Sequence, residues 1–335
     1  MGRYRNKFTE KVSSEMQSMN HDRGSLIGSP PSVERNSPRP RVSFAIPVFN
    51  AERFLGRALD SLLAQNFEDF EVVICDNAST DGTQDLVRRY SERDGRVRYI
   101  RNEENIGQIE NFNRVCELSR GDFIRWMGAD DWIETDYARK CVAALDGRPD
   151  AVGVTTQWRY MDDNGEVNFL DVPGPRVDAS TPTRRLHLTL KLLQNGELLF
   201  DPIYSLIRRN ALERSAMLPV NRWTDRLLAF ELCLIGPFCH LDDFLATRRD
   251  AREPRKIRIQ RWHERYKGWK KREHRWMLYV SYAKIVGRAP LTVWQKFNCW
   301  GIIFFYWLRD EIRRRAKRIK RRLKKNSASA LSSPK

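Results

Sequence analysis

The sequence predicts an α/β fold, a mostly parallel sheet flanked by helices, with a basic, aromatic-rich helical extension at its C-terminal end. Three observations lead there. Between Val42 and Trp132, short apolar runs alternate with segments of helical period over short connections, the pattern of βαβ units. The Asp-rich stretches fall at the ends of the apolar runs and not within them. Charge is divided as well. The net charge is +17 over 335 residues, yet residues 251–335 carry 26 Lys/Arg against 5 Asp/Glu, while the first 250 carry 34 against 38. A near-neutral globular unit is joined to a cationic appendage, and the two need separate explanations.

Residues 1–40 are polar, rich in Ser, Pro and Arg, and have no apolar run of the secretory kind; they read as a disordered leader. Residues 41–250 form the globular domain. Val42–Phe49 is a buried strand. Asn50 caps the next helix, in which Phe54, Leu55, Ala58, Leu59, Leu62 and Leu63 recur at helical spacing. Phe70–Cys75 is a second strand ending at Asp76. Asp81 and Gln84 form an N-cap and its N3 partner, opening a helix that buries Leu86, Val87 and Tyr90. Val97–Ile100 is a third strand, Gly107–Leu118 a helix, and Phe123–Met127 a fourth strand running into Gly128-Ala129-Asp130-Asp131. Asp163-Asn164-Gly165 signals a hairpin between Val152–Tyr160 and Val167–Leu170. A loop over 172–184 follows, then a helix over Leu186–Leu193, a strand over Pro202–Ile207, a helix over Asp225–Leu234 and an extended run over Phe238–Thr247. The charged stretch Arg249–Arg258 ends the unit. Six cysteines without a C-x-x-C pair argue against a zinc site and for reduced, cytosolic thiols.

Ligands of open parallel sheets bind beyond the carboxyl ends of the strands, which selects Asp76–Thr83 and Gly128–Trp132. In the first, an Asp at the strand end can accept a hydrogen bond from a base or sugar, and the helix N-terminus offers amides to an anion. An ordinary capped turn uses the same residue types. In the second, adjacent carboxylates repel and are best tolerated where a divalent cation neutralises them. Mg²⁺ or Mn²⁺ bridging to a diphosphate is the usual arrangement. An exposed acidic turn capping the next helix is the alternative.

Four segments, SFAIPVFNAERFLGRALDSLLAQ, EVVICDNASTDGTQDLV, RNEENIGQIENFN and GDFIRWMGADDW, together resemble family 2 glycosyltransferases of the Rossmann-like GT-A fold, in order and at the family's spacing. The likeness is strong over residues 42–135 and looser towards residue 250. It implies that Pro47, Phe49, Asn50 and Glu52 begin the nucleotide pocket. Asp76 would meet the nucleobase, with Asn77 and Ser79 beside it, and Asn105 and Gly107 match the segment that closes over the donor. Ala129 and Asp130 complete the nucleotide-sugar site. Asp130 matches the metal-binding Asp of the family's D-x-D motif, with Asp131 as its neighbour, for Mg²⁺ or Mn²⁺. Gly128 stands where the family often has the first Asp.

The resemblance further implies Asp225 as general base, with Thr224 replacing the Glu of a Glu-Asp pair; a helix N-terminal Asp favoured by the macrodipole is the other explanation of that residue. Where the family has Arg-x-His, this chain has Arg248-Arg249-Asp250. The implied reaction is inverting transfer of a single sugar from a UDP- or dTDP-sugar to a glycan or lipid-linked acceptor in cell-surface polysaccharide biosynthesis. A sugar-nucleotide pyrophosphorylase would need a Gly-rich, basic loop that Ile46–Arg53 does not provide.

In the tail, Trp262, Tyr266, Trp269, Trp276 and Val280 fall at helical spacing. Phe297–Leu308 is intensely apolar and precedes Arg313-Arg314-Arg315 and Lys317–Arg322. The 12 residues between Lys296 and Arg309 are fewer than the roughly 20 that a bilayer-spanning helix requires. Residues 255–325 therefore read as an interfacial helix on an anionic membrane surface, peripheral at the inner, cytoplasmic face. Two alternatives stand beside this: the aromatics pack on the domain, or the chain is a non-catalytic adaptor whose tail binds nucleic acid or membrane. No nucleic-acid motif is present and the globular part is slightly acidic, so a nucleic-acid partner is not expected.

Overall fold

The computed structural model describes residues 39–162, 164–170, 176–195, 204–221, 223–249 and 275–331. The expected leader, Asp163 of the hairpin, Pro202, Asp250 and the aromatics Trp262, Tyr266 and Trp269 lie outside them. Strand β1 (Val42–Val48) is apolar on both sides because both faces of the sheet are covered. It pairs in parallel with β2 (Phe70–Asp76) on one side and β4 (Phe123–Trp126) on the other, and β3 (Val97–Arg101) adds to β2. The connecting helices are α1 (Glu52–Leu63), α2 (Thr83–Arg93) and α3 (Gln108–Leu118). Alternation along β1 divides the core. Phe44 and Ile46 pack with Leu55, Leu59 and Leu62 of α1, while Ala45 faces Val115 of α3.

The second half continues the sheet with mixed direction. It comprises β5 (Trp132–Ile133), α4 (Tyr137–Asp146), β6 (Gly153–Met161), β7 (Val167–Leu170), α5 (Pro182–Asn195), β8 (Leu206–Arg208), α6 (Arg209–Glu213), α7 (Thr224–Ile235) and β9 (Phe238–Arg249). The strand order is β3-β2-β1-β4-β8-β6-β9-β5, with β7 paired to β6 in the expected hairpin. The four N-terminal strands are parallel. Beyond them β8 runs antiparallel to both β4 and β6, and β5 antiparallel to β9. Two further helices, α8 (Trp276–Arg288) and α9 (Val293–Leu331), follow. All six cysteines are buried and unpaired. Burial pushes the thiols of Cys75, Cys116, Cys141 and Cys233 up to about 12, and that of Cys299 up to about 11.

Two expected helix caps are replaced by a reciprocal one. Asn50 does not cap α1; it sits at φ 51° ahead of Ala51, and its Oδ1 accepts the Thr80 amide at 2.8 Å. Gln84 is not the partner of Asp81. Instead Asp81 accepts the Glu52 amide (3.1 Å) and the Thr83 amide (3.1 Å), Glu52 accepts the Gly82 amide (3.0 Å), and Thr83 Oγ1 accepts the Ala51 amide (2.8 Å). The cause is register. Val48 pairs with Asp76, so α1 and α2 start side by side, and each supplies acceptors to the other's unsatisfied amides.

A buried carboxylate ties the parallel strands together. Glu71 on β2, 2% exposed, accepts Ser43 Oγ of β1 (2.7 Å), an Arg98 guanidinium N–H from β3 (2.7 Å) and the Arg120 amide ahead of β4 (2.5 Å). Burial alone would raise its carboxyl, but the Ser43 hydroxyl, the Arg120 amide and Arg98 outweigh it and hold the group below its ordinary value. Stability from such a group is present above the unfolded carboxyl's value and is lost as pH falls through the folded one. Glu71→Ala, which removes the acceptor of four hydrogen bonds, is expected to lower unfolding free energy by about 3 kcal/mol at neutral pH. Urea titration reads the loss, and the gap to wild type should narrow in acid.

Candidate active site

The parallel register brings the first acidic turn and the second to one edge. Backbone hydrogen bonds run on past the strand ends, from Asn77 N to Val48 O (2.9 Å), Asn102 N to Asp76 O (2.8 Å) and Met127 N to Ala45 O (3.0 Å). The segments after β1, β2, β3 and β4 therefore leave the sheet on the same side. Asp76 and the Gly128–Asp131 turn stand on strands two apart, roughly 10 Å across the edge. Between them, Pro47 is half-buried, and Phe49 (43% exposed) and Asn50 are exposed.

Asp76 is fully buried, so its lone pairs need protein donors, and it has four. Ser79 gives its amide (2.9 Å) and hydroxyl (2.5 Å), Tyr99 its hydroxyl (2.7 Å) and Arg101 a guanidinium N–H (2.7 Å). The Asp76 carboxylate also raises the Tyr99 phenol, after burial itself, to about 12. For Asp76 to meet a base, one donor must yield, and Arg101 is the one on the exposed side. Tyr99 and Arg101 lie two apart on β3 and so share a face. That spacing was the available sequence signal for them, and sequence reasoning passed over it.

The 102–107 segment is held by asparagines. Asn77, 3% exposed, donates to Asn105 Oδ1 (2.7 Å) and Gly107 O (3.2 Å), while its Oδ1 accepts the Ile106 amide (2.9 Å) and Asn102 Nδ2 (3.1 Å). Asn111 accepts from Asn102 (3.0 Å) and donates to Cys75 O (2.8 Å). Gly107 adopts φ 103°, where a side chain would be strained. Asn105 and Gly107 are thus fixed to the end of β2; Asn102 and Asn111, unrecognised from sequence, carry that link. The amides of the first turn, expected to offer an anion site, are already occupied. Ser79, Thr80, Gly82 and Thr83 all donate to side-chain oxygens, with Glu52 and Asp81 supplying the negative charge. That expectation is corrected by the reciprocal capping, and it leaves Glu52 as a structural acceptor at the sheet edge.

At the second turn the two carboxylates converge. An ideal Cβ on Gly128 would lie 2.7 Å from Asp131 Oδ2 and 3.1 Å from Asp130 Oδ1. The glycine is therefore not a vacant Asp position; the neighbouring carboxylates fill the space a side chain would use. Asp130 and Ala129 are half-exposed, whereas Asp131 is buried. Burial raises the Asp131 carboxyl, Arg248 opposes this, and the Asp130 charge adds to the rise. Arg248 reaches it because Trp132 pairs antiparallel with Thr247, and the Arg249 amide donates to Asp131 at 3.3 Å. Fully buried Arg125, bonded to the Tyr137 hydroxyl at 2.7 Å, also opposes the rise. One half-exposed and one desolvated carboxylate turned to a common point suit a hard divalent cation shared with phosphate oxygens. Among the described residues no third His, Cys, Asp or Glu joins them.

Asp225 stands exposed in the first turn of α7. Its charge acts on the buried Tyr282 of α8, and it is not among the principal charges acting on Asp131. His240 contacts Thr155 Oγ1 at 2.7 Å and is half-buried, in keeping with a structural role.

A family model described as glycosyl transferase family 2 matches residues 43–215. The glycosyltransferase GlyA of Streptococcus pneumoniae is 33% identical over 129 residues, which is 38% of this chain and only 18% of that protein. Among solved structures, S. aureus TarS 1–349 in complex with UDP-GlcNAc superposes with a TM-score of 0.57 at 18% identity, covering 79% of this chain and 72% of that one. The mannosyltransferase PcManGT of Pyrobaculum calidifontis, in complex with GDP-Man and Mn²⁺, gives a TM-score of 0.51 at 17% identity, covering 89% and 82%. At these identities the structures speak for the GT-A fold alone. With the family model spanning more than half its length, and both acidic turns on one sheet edge, the chain belongs to glycosyl transferase family 2.

Proposed function

We propose that the chain is an inverting glycosyltransferase that moves one sugar from a nucleoside-diphosphate sugar, UDP- or dTDP-linked, to a hydroxyl of a glycan or lipid-linked acceptor in cell-surface polysaccharide synthesis. The observation that carries this reading is the convergence of Asp130 and Asp131 at the same edge as Asp76. The complexes of TarS with UDP-GlcNAc and of PcManGT with GDP-Man support the donor class.

Phe49 and the exposed side of Arg101 border the nucleobase end of the pocket, with Asp76 fixing Arg101, Tyr99 and Ser79 in position. The Asn77-bound segment 102–107 flanks the nucleotide. Asp130 and Asp131 would hold a Mg²⁺ or Mn²⁺, which, when bound, neutralises charge on the diphosphate leaving group. The buried position of Asp131 strengthens that interaction by excluding water. Asp225 takes the proton of the acceptor hydroxyl as its oxygen attacks the anomeric carbon; the bond from that carbon to the diphosphate oxygen breaks, and the electron pair leaves with the diphosphate.

Asp130→Asn is expected to lower transfer at least about a hundredfold, with the melting temperature kept. A chelator should abolish transfer by wild type, and Mn²⁺ or Mg²⁺ should restore it. Transfer by Asp130→Asn at the wild-type rate would remove the residue from the mechanism. Asp225→Asn is expected to cost at least about a hundredfold in kcat while donor affinity, read by calorimetry, is unchanged. A wild-type kcat would assign Asp225 to its favourable interaction with the α7 macrodipole alone.

A further inference from the structure

Helix α9 is apolar on two opposite sides, and the domain covers only one. Cys299, Ile303 and Tyr306 are buried in the core shared with α7 and α8, and Asp310 meets Arg275 at 2.8 Å. At 100° per residue these four positions span an arc of roughly 60°. Facing the other way are Val293, Trp294, Phe297, Phe304, Phe305, Ile312 and Ile319, exposed by 84% at Val293, 76% at Trp294 and 65% at Phe297. They fall within an arc of roughly 120°. Packing against the domain thus accounts for the inner stripe and leaves the outer one without a partner among the described residues. The patch extends onto α8, where Trp276 and Val280 join Trp300, Phe304 and Trp307 around an open apolar groove of about 560 Å³.

Charge distinguishes the occupants. From Val293 to Leu331 the helix carries 12 Lys/Arg against Asp310 and Glu311. By the same periodicity Lys296 and Arg314 lie roughly 60° beyond one edge of the outer stripe and Arg309 roughly 40° beyond the other, while the exposed Arg315 falls within it. A second copy of the chain docking here would bring two strongly cationic helices together, and like charges at such spacing repel. A bilayer rich in anionic headgroups accepts the aromatic stripe and the flanking cations together. No described helix is long and apolar enough to cross a membrane, so the helix must lie along the surface.

We propose that the outer face of α9, continued by the α8–α9 groove, seats the protein in the interfacial layer of an anionic lipid bilayer, with hydrocarbon chains against Trp294, Phe297 and Phe304 and phosphates against the bordering Lys and Arg. The inference goes beyond the transfer reaction and stands on separate residues, so the two fail separately.

The test is flotation of the full chain with vesicles of phosphatidylcholine containing roughly 30 mol % phosphatidylglycerol, against phosphatidylcholine alone. Wild type should float with the anionic vesicles, float poorly with neutral ones, and be released in part at about 0.5 M salt. The variant Trp294→Glu/Phe297→Glu/Phe304→Glu should lose at least about tenfold in partitioning while its melting temperature and its hydrolysis of donor in solution match wild type. Arg313→Ser/Arg314→Ser/Arg315→Ser, which leaves the stripe intact, should lose the preference for anionic vesicles. The proposal is overturned if wild type stays in the aqueous fraction, if either variant floats as wild type does, or if wild type is a dimer that the Glu variant dissociates and no flotation occurs.

Discussion

A carboxylate that has left water entirely must have its lone pairs taken by donors, or the fold around it does not persist. Asp76 meets that condition at the place where β2 gives way to the loop, and four donors from three residues are arranged by it. Ser79 is drawn back under the turn, and Tyr99 and Arg101 are aligned along β3. The rest of the edge follows from this point. Asn77, the next residue, is fixed by the Val48 carbonyl and in turn fixes the 102–107 segment. The strand register that sets Val48 opposite Asp76 also sets α2 beside α1, so that Glu52, Asp81 and Thr83 can cap in pairs. The edge is therefore hydrogen-bonded throughout without a ligand, and pre-organisation of this kind would lower the ordering cost of binding the donor proposed above.

The second turn works by a different balance. Asp131 is desolvated and made costly by Asp130, and the guanidinium groups of Arg248 and Arg125 offset part of that cost. The arrangement holds two negative charges close together at a tolerable energy, and Gly128 makes it sterically possible. A larger residue there would push the carboxylates apart. The apparent loss of an acidic residue is thus a repacking in which Asp131 turns back into the space.

The parallel half of the fold was legible because buried parallel strands read as apolar runs, and their ends as Asp, Asn and Gly. Asp76 and Asp130 could be singled out for the same reason, whereas the roles of Asn77 and Asn105 came from the family resemblance. Partners chosen by tertiary register could not be singled out. Nothing local pairs Asp81 with Glu52 across 29 residues, and Asn50 looks like a cap until Thr80 is known to lie opposite. The direction of β8 and β5 was equally hidden, since a strand of two or three residues carries no signal of its orientation. Asp225, the proposed base, is least tied to its expected surroundings. Its helix follows from periodicity, but where it stands relative to Asp130 is set by how α7 packs in the core, which no local pattern states.

The six thiols have a practical corollary. Each is enclosed and held in its protonated form far above neutrality, whereas electrophilic labels react with exposed thiolate. The native fold should be silent towards maleimides, and a single cysteine introduced at an exposed position would carry a spectroscopic probe without removal of the natural six. Uptake of label by the unmodified chain then counts molecules that have opened.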